Sequence, residues 1–223
     1  MYMLKNDIGL EIYVFTYELI DSKMYLILGR DSAVVIDPNV SDDAARLLRE
    51  HHIQKVNILL THEHFDHISG LEWFRKRFDC TVYCSEACDR GMQSPIRNGS
   101  KHFKALFIDK EEEKLKEASA IKPMICKGDI IFHESKKLLW EGHNLTLIET
   151  PGHSPGSICI SLDDRCLFTG DSLLKDELVI TRLPGGSRAE YEAKTRPFLE
   201  SLGKDVYVYP GHGESGYISD FIN

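Results

Sequence analysis

Thr61-His62-Glu63-His64-Phe65-Asp66-His67 brings three imidazoles and the carboxylate of Asp66 into one short segment, directly after the apolar run Val56-Asn57-Ile58-Leu59-Leu60. An apolar run of this length is typical of a buried strand. The polar residues therefore follow the end of a strand, where loops present functional side chains from a rigid scaffold. This segment is the strongest indication of function in the chain.

The spacing within residues 61–67 suits two metal ions. His62 and His64 are two positions apart, so on an extended backbone their side chains point to the same side. Asp66 and His67 come one turn later and can face a second point. Isolated histidines are mostly surface or hydrogen-bonded core residues, but a buried carboxylate among imidazoles is costly unless a cation compensates its charge. We therefore predict that all four residues bind metal.

The same arrangement recurs three times later in the chain. An apolar strand ends, and a glycine-bounded loop then presents a histidine or an aspartate, since glycine suits tight turns and close backbone approach. These residues are His153, Asp171 and His212. They are the remaining candidate ligands.

Short β-like runs separated by turn residues, with fewer helical segments, predict an α+β fold in which two sheets pack together with helices outside. The predicted strands are 11–17, 24–28, 33–36, 56–60, 81–84, 128–132, 145–149, 158–162, 166–169 and 206–209. The predicted helices are 42–52, 68–78, a short helix from Ser85, and 187–202 interrupted at Pro197. Residues 91–126 are less regular and are predicted to be an insertion or lid within a single domain spanning 1–223; a solvated helix over 103–116 is the alternative.

Composition is that of an ordinary globular protein, with 42% hydrophobic and 28% charged residues among 223. The net charge of −8 argues against a nucleic-acid partner, because sequence-independent affinity for phosphates comes from lysine and arginine. No apolar run is long enough to cross a bilayer. Residues 1–7 lack the apolar core and cleavage site of a secretory signal. We expect a cytoplasmic protein without a membrane partner.

The six cysteines are expected to be free thiols in a reducing compartment. Cys80, Cys84 and Cys88 recur at every fourth residue, which on one helix would align them as a further metal site. The β-like Thr81-Val82-Tyr83 interrupts that helical face. Packing thiols are therefore the better interpretation.

Taken together, the motif from His62 to His67 and the three later residues resemble the ligand pattern of the metallo-β-lactamase superfamily, in the family's order and over most of the chain. The resemblance implies a four-layer αββα sandwich with the site at one edge of the two sheets. The implied ligands of the first ion are His62, His64 and His153. Those of the second ion are Asp66, His67 and His212, with Asp171 bridging both.

The resemblance implies a hydrolase with two divalent metal ions. Zinc is the expected metal, and iron or manganese would also accept these ligands. Two such ions lower the pKa of a bridging water and polarise the attacked carbonyl, so hydroxide is the expected nucleophile. Asp66 is assigned both as a ligand and as the catalytic residue. The expected substrate is a small molecule with an ester-like bond.

Four further motifs are similar to the glyoxalase II group of hydroxyacylglutathione hydrolases, which cleave thioesters. They are Thr150-Pro151-Gly152-His153-Ser154-Pro155-Gly156-Ser157, Phe168-Thr169-Gly170-Asp171, Leu183-Pro184-Gly185-Gly186-Ser187 and Tyr209-Pro210-Gly211-His212-Gly213. A bridging aspartate is atypical of true β-lactamases, so antibiotic hydrolysis is not expected. The tyrosine that commonly follows the last metal histidine in glyoxalase II is replaced by Gly213-Glu214-Ser215, so glutathione itself is not implied.

Other activities on the same fold are the alternatives. A mononuclear iron persulfide (sulfur) dioxygenase keeps the motif but uses one iron held by two histidines and one aspartate. A nuclease or a lactonase also shares the scaffold, and the acidic charge balance makes the nuclease the weakest of these. A non-catalytic metal-binding or scaffold role is the alternative outside enzymes. The sequence does not predict the oligomeric state.

Overall fold

The computed structural model describes residues 1–5 and 9–222. The strands are β1 (Tyr2–Lys5), β2 (Glu11–Tyr17), β3 (Ser22–Leu28), β4 (Ser32–Ile36), β5 (Lys55–Leu59), β6 (Asp79–Ser85), β7 (Ile130–Phe132), β8 (Ser135–Trp140), β9 (His143–Glu149), β10 (Ile158–Leu162), β11 (Cys166–Gly170), β12 (Tyr207–Pro210) and β13 (Gly216–Tyr217). The helices are α1 (Asp42–Glu50), α2 (Phe65–Ile68), α3 (Leu71–Arg75), α4 (Glu86–Met92), α5 (Glu112–Ala120), α6 (Arg188–Glu190) and α7 (Arg196–Glu200). Single 3₁₀ or π turns occur at Phe103–Phe107, Tyr191–Thr195 and Ile218–Asp220.

The described strands form two mixed sheets. The first has the order β1-β2-β3-β4-β5-β6-β7 and is antiparallel up to β4 and parallel beyond it. The second has the order β13-β12-β11-β10-β9-β8, with β11 and β12 parallel. Parallel neighbours end at the same edge of a sheet. The chain therefore leaves β4 and β5 at one edge of the first sheet, and leaves β11 and β12 at one edge of the second.

Alternation along the strands separates the apolar core into layers. In β3, Met24 and Leu26 face outward and join a cluster with Leu48 of α1 and Phe74 of α3. Tyr25, the residue between them, faces the other way and packs in the cluster between the two sheets. The first sheet is therefore covered by helices on one face and by the second sheet on the other.

The second sheet shows the same division. Ile158 and Ile160 of β10 lie in the cluster between the sheets, whereas Cys159 faces outward and packs in a cluster with Leu199 of α7. The order of layers is helices, sheet, sheet, helices. The predicted α+β, αββα sandwich is confirmed.

Several element boundaries differ from the prediction. The single helix predicted over 68–78 is two helices, α2 and α3, because the Gly70 N–H donates to the Pro38 carbonyl at 2.8 Å instead of continuing a helix. A side chain at Gly70 would overlap the backbone of Asn39. The edge strands β1 and β8 were not predicted, because neither sequence alternates between polar and apolar residues.

The six cysteines, all of them described residues, form no disulfide bonds, and five of them are buried. Cys84 lies at the end of β6 and Cys88 on α4, both fully buried in the outer cluster of the first sheet. Within the described residues, no helix is both long and apolar enough to cross a lipid bilayer.

The carboxylate of Glu141 joins the two sheets at the end of the sandwich where β4 begins. Glu141, in the turn between β8 and β9, accepts hydrogen bonds from the backbone N–H groups of Arg30, Asp31 and Ser32 at 2.6, 3.1 and 2.9 Å. The Ser32 hydroxyl donates to it as well, at 2.7 Å. Partial burial acts to raise the pKa of Glu141, but the hydroxyl and the backbone amides outweigh it and hold the pKa below its ordinary value.

We predict that Glu141→Gln lowers the free energy of unfolding by roughly 1–2 kcal/mol, because the amide places an N–H group against donors in a partly exposed site. A carboxylate whose pKa is lower in the folded state stabilises the protein above its unfolded pKa, and this contribution is lost as the pH falls. The difference between wild type and variant in urea unfolding should therefore shrink below about pH 4. Glu50→Gln, an exposed carboxylate on α1, is the control and should change stability by less than about 0.5 kcal/mol. A pH-independent difference would contradict this account.

Candidate metal centre

All seven side chains predicted as ligands lie together at one edge of the sandwich. They come from four places: the loop after β5 together with α2, the loop between β9 and β10, the residue after β11, and the loop after β12. The residues are His62, His64, Asp66, His67, His153, Asp171 and His212. The two sheets are tied together here, since the Ile158 N–H donates to the Thr61 carbonyl and the Lys23 N–H to the Gly211 carbonyl, both at 2.8 Å.

Three imidazoles form the first donor set. One ring nitrogen from each of His62, His64 and His153 lies within 4.8 Å of the others. The His64 Nδ1 and the His153 Nε2 are 2.9 Å apart. The rings meet edge to face, with centroids of His62 4.7 Å from His64 and 4.9 Å from His153. The three nitrogens therefore converge on one point, as the ligands of a tetrahedral ion do.

One carboxylate and two imidazoles form the second donor set. Atoms of Asp66, His67 and His212 lie within 4.8 Å of one another. The Asp66 Oδ2 is 3.3 Å from the Nε2 of His67 and 3.3 Å from the Nε2 of His212. This set is adjacent to the first, because the ring centroids of His62 and His67 are 4.3 Å apart.

Asp171 lies between the two sets and presents one oxygen to each. Its Oδ2 is 3.4 Å from the His153 Nε2. Its Oδ1 is 3.4 Å from the His67 Nε2 and 3.7 Å from the His212 Nε2. The arrangement is that of a carboxylate able to bridge two ions.

Buried atoms without hydrogen-bond partners show that these residues fit divalent cations. The Nε2 of His62, the Nε2 of His67 and the Oδ1 of Asp171 are inaccessible to solvent and accept or donate no hydrogen bond in the described part of the chain. Leaving a buried polar atom unsatisfied is costly. All three atoms point into the donor sets, where a cation would satisfy them. Imidazole and carboxylate donors suit zinc, and they also suit iron and manganese.

The electrostatics of the edge favour the protonation states that bind metal in the first donor set and in both carboxylates. Burial and the surrounding imidazoles hold the pKa of His62 well below its ordinary value and lower the pKa of His64 to about 4, so both rings are neutral at pH 7. Burial acts to raise the pKa of Asp66 and of Asp171, but the nearby histidines, His67 foremost, outweigh it and both pKa values are lowered. Both carboxylates are therefore ionised. In the second set, burial acts to lower the pKa of both histidines, but the neighbouring carboxylates outweigh it and raise both pKa values, so a metal ion would displace a proton from these rings.

His67 is held in place by a residue that the sequence did not single out. Asp37, directly after β4, accepts from the Thr61 N–H at 2.7 Å and from the Thr61 hydroxyl at 2.5 Å, and its Oδ2 lies 2.8 Å from the His67 Nδ1. Asp37 could also form a donor group with His62 and His67. We assign it an orienting role, because its oxygens are already bonded and its contact leaves the His67 Nε2 free for a metal. The sequence feature that could have identified Asp37 is its position as an aspartate directly after an apolar strand.

Two further contacts orient the first donor set. The His153 Nδ1 lies 2.8 Å from the Ile180 carbonyl, which leaves its Nε2 to face His64. Glu63, between His62 and His64, is buried and accepts from the Ser154 hydroxyl at 2.8 Å, so it ties the loop after β5 to the loop of His153. Burial raises the pKa of Glu63 to about 7. Neither contact was apparent from the sequence.

Gly211 allows the loop of His212 to approach the centre closely. A Cβ atom at this position would overlap the Asp171 carboxylate and would lie 2.8 Å from the His67 Cε1. Its N–H donates to the Gly170 carbonyl at 2.7 Å, which fixes the loop against the end of β11. Any larger residue would displace the carboxylate between the sets and a donor of the second set.

A cavity of about 390 Å³ lies beside the loop of His212. Lys23, largely buried, lies against it and pairs with Asp21 at 2.7 Å. The residues that line the cavity are Tyr2, Leu4, Asp21, Lys23, Tyr207, Gly213, Glu214 and Ser215. The cavity therefore offers two aromatic rings and charges of both signs beside the residues that follow His212, and none of the seven proposed ligands lines it.

The chain is similar to known proteins in both sequence and structure. A family model described as the metallo-beta-lactamase superfamily matches residues 19–212. The probable metallo-hydrolase YqgX of Bacillus subtilis is 28% identical over 196 residues, which cover 87% of this chain and 86% of that protein. Hydroxyacylglutathione hydrolase GloC of Haemophilus influenzae is 27% identical over 187 residues, covering 82% and 80%. The crystal structure of the BLEG-1 B3 metallo-beta-lactamase superposes with a TM-score of 0.79 and 25% identity, over 94% of this chain and 95% of that one.

We predict that removing metal with a chelator lowers the melting temperature by at least about 5 °C. Ligand bound at 100 times its dissociation constant contributes about 2.7 kcal/mol, and a domain of this size shifts by about 2–4 °C per kcal/mol. Differential scanning calorimetry before and after chelation, and after returning zinc, measures the effect. His51→Ala, an exposed imidazole beyond the end of α1, should keep the full response. His67→Ala should lose much of it. An unchanged melting temperature on removing metal from a loaded sample would contradict metal binding by these two donor sets.

Proposed function

The chain belongs to the metallo-beta-lactamase superfamily, and from this we propose that it is a dinuclear metal-dependent hydrolase of a thioester or a small ester, similar to the glyoxalase II group. One observation carries the proposal. The two oxygens of Asp171 lie 3.4 Å from His153 and from His67, which belong to different donor sets. A carboxylate so placed is suited to two neighbouring ions, and a single ion would leave one set of buried donors without a partner.

Zinc is the metal that we propose for both positions, held by imidazole and carboxylate donors with room for a water or substrate. His62, His64 and His153 would hold the first ion. Asp66, His67 and His212 would hold the second, and Asp171 would be shared. When bound, the two ions would lower the pKa of a water molecule and polarise the attacked carbonyl, so that no serine or cysteine nucleophile is required.

The residues of this chain would set the charge and orientation of the centre. Asp66, proposed as the catalytic residue, is ionised at neutral pH because His67 and His212 hold its pKa down. It would orient the attacking water and would not store its proton, since a carboxylate of low pKa is a poor base. Asp37 would keep the His67 ring in the tautomer that presents Nε2 to the metal.

Access to the centre supports a small-molecule substrate. The His212 side chain is 22% exposed and that of Asp171 is 13% exposed, so the second donor set and the bridging carboxylate can be reached from outside. Three residues that line the cavity, 213–215, directly follow His212 in sequence. We propose that the part of the substrate that is not cleaved binds there, against the rings of Tyr2 and Tyr207.

Thioester cleavage is proposed on two grounds. The Haemophilus influenzae relative is named a hydroxyacylglutathione hydrolase, and four motifs of this chain are similar to that group. The structural likeness to a B3 metallo-beta-lactamase makes β-lactams a necessary comparison substrate. The identity of the acyl and leaving groups is left to experiment.

We predict that His64→Ala and Asp171→Ala each lower kcat/KM for thioester hydrolysis by at least about 100-fold, because each variant removes a donor and leaves neighbouring donors unpaired. Metal content is measured on the same preparations and should approach two ions per chain in the wild type. Activity is then compared across thioesters, lactones, β-lactams and phosphodiesters. Oxygen uptake with a persulfide substrate is recorded in parallel.

Asp205→Ala is the control, because this exposed carboxylate precedes β12 at the end away from His212. It should retain wild-type activity. Undiminished thioester turnover in metal-free protein would overturn the proposal. One iron per chain together with oxygen uptake would instead identify a persulfide dioxygenase.

A further inference from the structure

The segment between α4 and β7 packs directly on the part of the chain that carries three of the proposed ligands. Phe65 lies in a small apolar cluster with Phe103 and Phe107 of this segment and with Leu19. The rings of Phe65 and Phe103 meet at 63°, with centroids 4.8 Å apart. Phe65 stands between His64 and Asp66 in sequence, so contacts that fix Phe65 also restrict the backbone of a ligand on each side.

Helix α2 depends on this segment for its first hydrogen bond. The first N–H groups of a helix have no partner within the helix. His64 is at the N-cap position and makes no side-chain capping bond, because its Nδ1 faces His153 at 2.9 Å. The Phe65 N–H donates instead to the carbonyl of Asn98, at 2.8 Å. A residue 33 positions away thus caps the helix that carries Asp66 and His67.

The side chain of Asn98 joins the two ends of the segment between α4 and β7 by hydrogen bonds. It is completely buried, and its Nδ2 donates to the carbonyls of Met92 at 3.1 Å and Met124 at 3.0 Å. Its Oδ1 accepts from the Ser100 N–H at 2.9 Å. Met92 ends α4, and Met124 lies near the other end of the segment, so one amide joins both ends. The Ser100 hydroxyl adds a second link by accepting from the Met124 N–H at 3.0 Å.

We propose that Asn98 is a positioning residue of the metal centre. Its amide fixes the segment, and its carbonyl fixes the start of α2, so that the donors of Asp66 and His67 keep the separation from His64 that two ions require. Asn98 touches neither donor set and acts through Phe65. The inference rests on the metal centre of the proposed function and is independent of the substrate.

The test is the affinity of Asn98→Ala for metal, measured without substrate. Metal-free protein is titrated with Co²⁺ and with Zn²⁺, and the binding of the second ion should weaken by about 10-fold or more, the effect typical of residues that orient ligands. Hydrogen exchange of the Phe65 amide in the metal-free protein should become faster. Urea unfolding of the same sample reports stability separately.

Ser119→Ala is the matched control. Ser119 is on α5 in the same segment, and its hydroxyl donates to the Leu115 carbonyl at 2.7 Å, away from α2. Its metal affinity and its Phe65 exchange should equal those of the wild type. Asn98→Asp keeps the acceptor for Ser100 but loses the donors to Met92 and Met124, and it should behave like Asn98→Ala.

Wild-type affinity for both ions in Asn98→Ala, with unchanged Phe65 exchange and lowered stability, would overturn the inference and assign Asn98 a purely structural role. If Asn98→Ala does not fold, Phe103→Leu decides, since it keeps an apolar side chain but removes the ring that packs on Phe65. Unchanged metal affinity in that variant would also overturn the inference. Because no readout uses a substrate, failure to hydrolyse every ester tested would count against the proposed function alone.

Discussion

The carboxylates of Asp66 and Asp171 lie among three buried or half-buried imidazoles, those of His67, His153 and His212, at distances of 3.3 to 3.7 Å from their ring nitrogens. Two of these atoms, the His67 Nε2 and the Asp171 Oδ1, are buried without a hydrogen-bond partner among the described residues, which a folded protein tolerates only where something else satisfies them. A divalent cation in each donor set meets this requirement. The rest of the structure can be understood as the scaffold that brings these groups together and keeps them from collapsing onto other partners.

The scaffold positions these groups by pairing the strands that precede them. Parallel pairing of β4 with β5 places Asp37 beside Thr61, so the carboxylate that orients His67 comes from a neighbouring strand. Parallel pairing of β11 with β12 brings Asp171 next to Gly211, where only a glycine leaves room. At the start of β4, Glu141 locks the two sheets together through the turn that precedes that strand. The two donor sets therefore lie on sheets whose relative position is fixed at both ends of the sandwich.

Local patterns predicted the layers and the location of the candidate ligands, because both depend on short-range order. Alternation in β3 and β4 separates inward from outward residues, and a histidine or aspartate directly after a buried strand necessarily lies at a sheet edge. The orienting contacts could not be predicted in the same way. Asp37 meets His67 only through strand pairing, and Asn98 meets Phe65 only after residues 93–124 have folded back on α2. Because such contacts join positions far apart in sequence, no local sequence pattern predicts them.

Anomalous diffraction from crystals of the metal-loaded protein, collected at the absorption edges of zinc, iron and manganese, tests the central claim most directly. Two peaks about 3.5–4 Å apart are expected, one among His62, His64 and His153 and one among Asp66, His67 and His212, with Asp171 between them. A single peak in fully loaded crystals, or a second peak away from Asp171, would contradict the dinuclear centre.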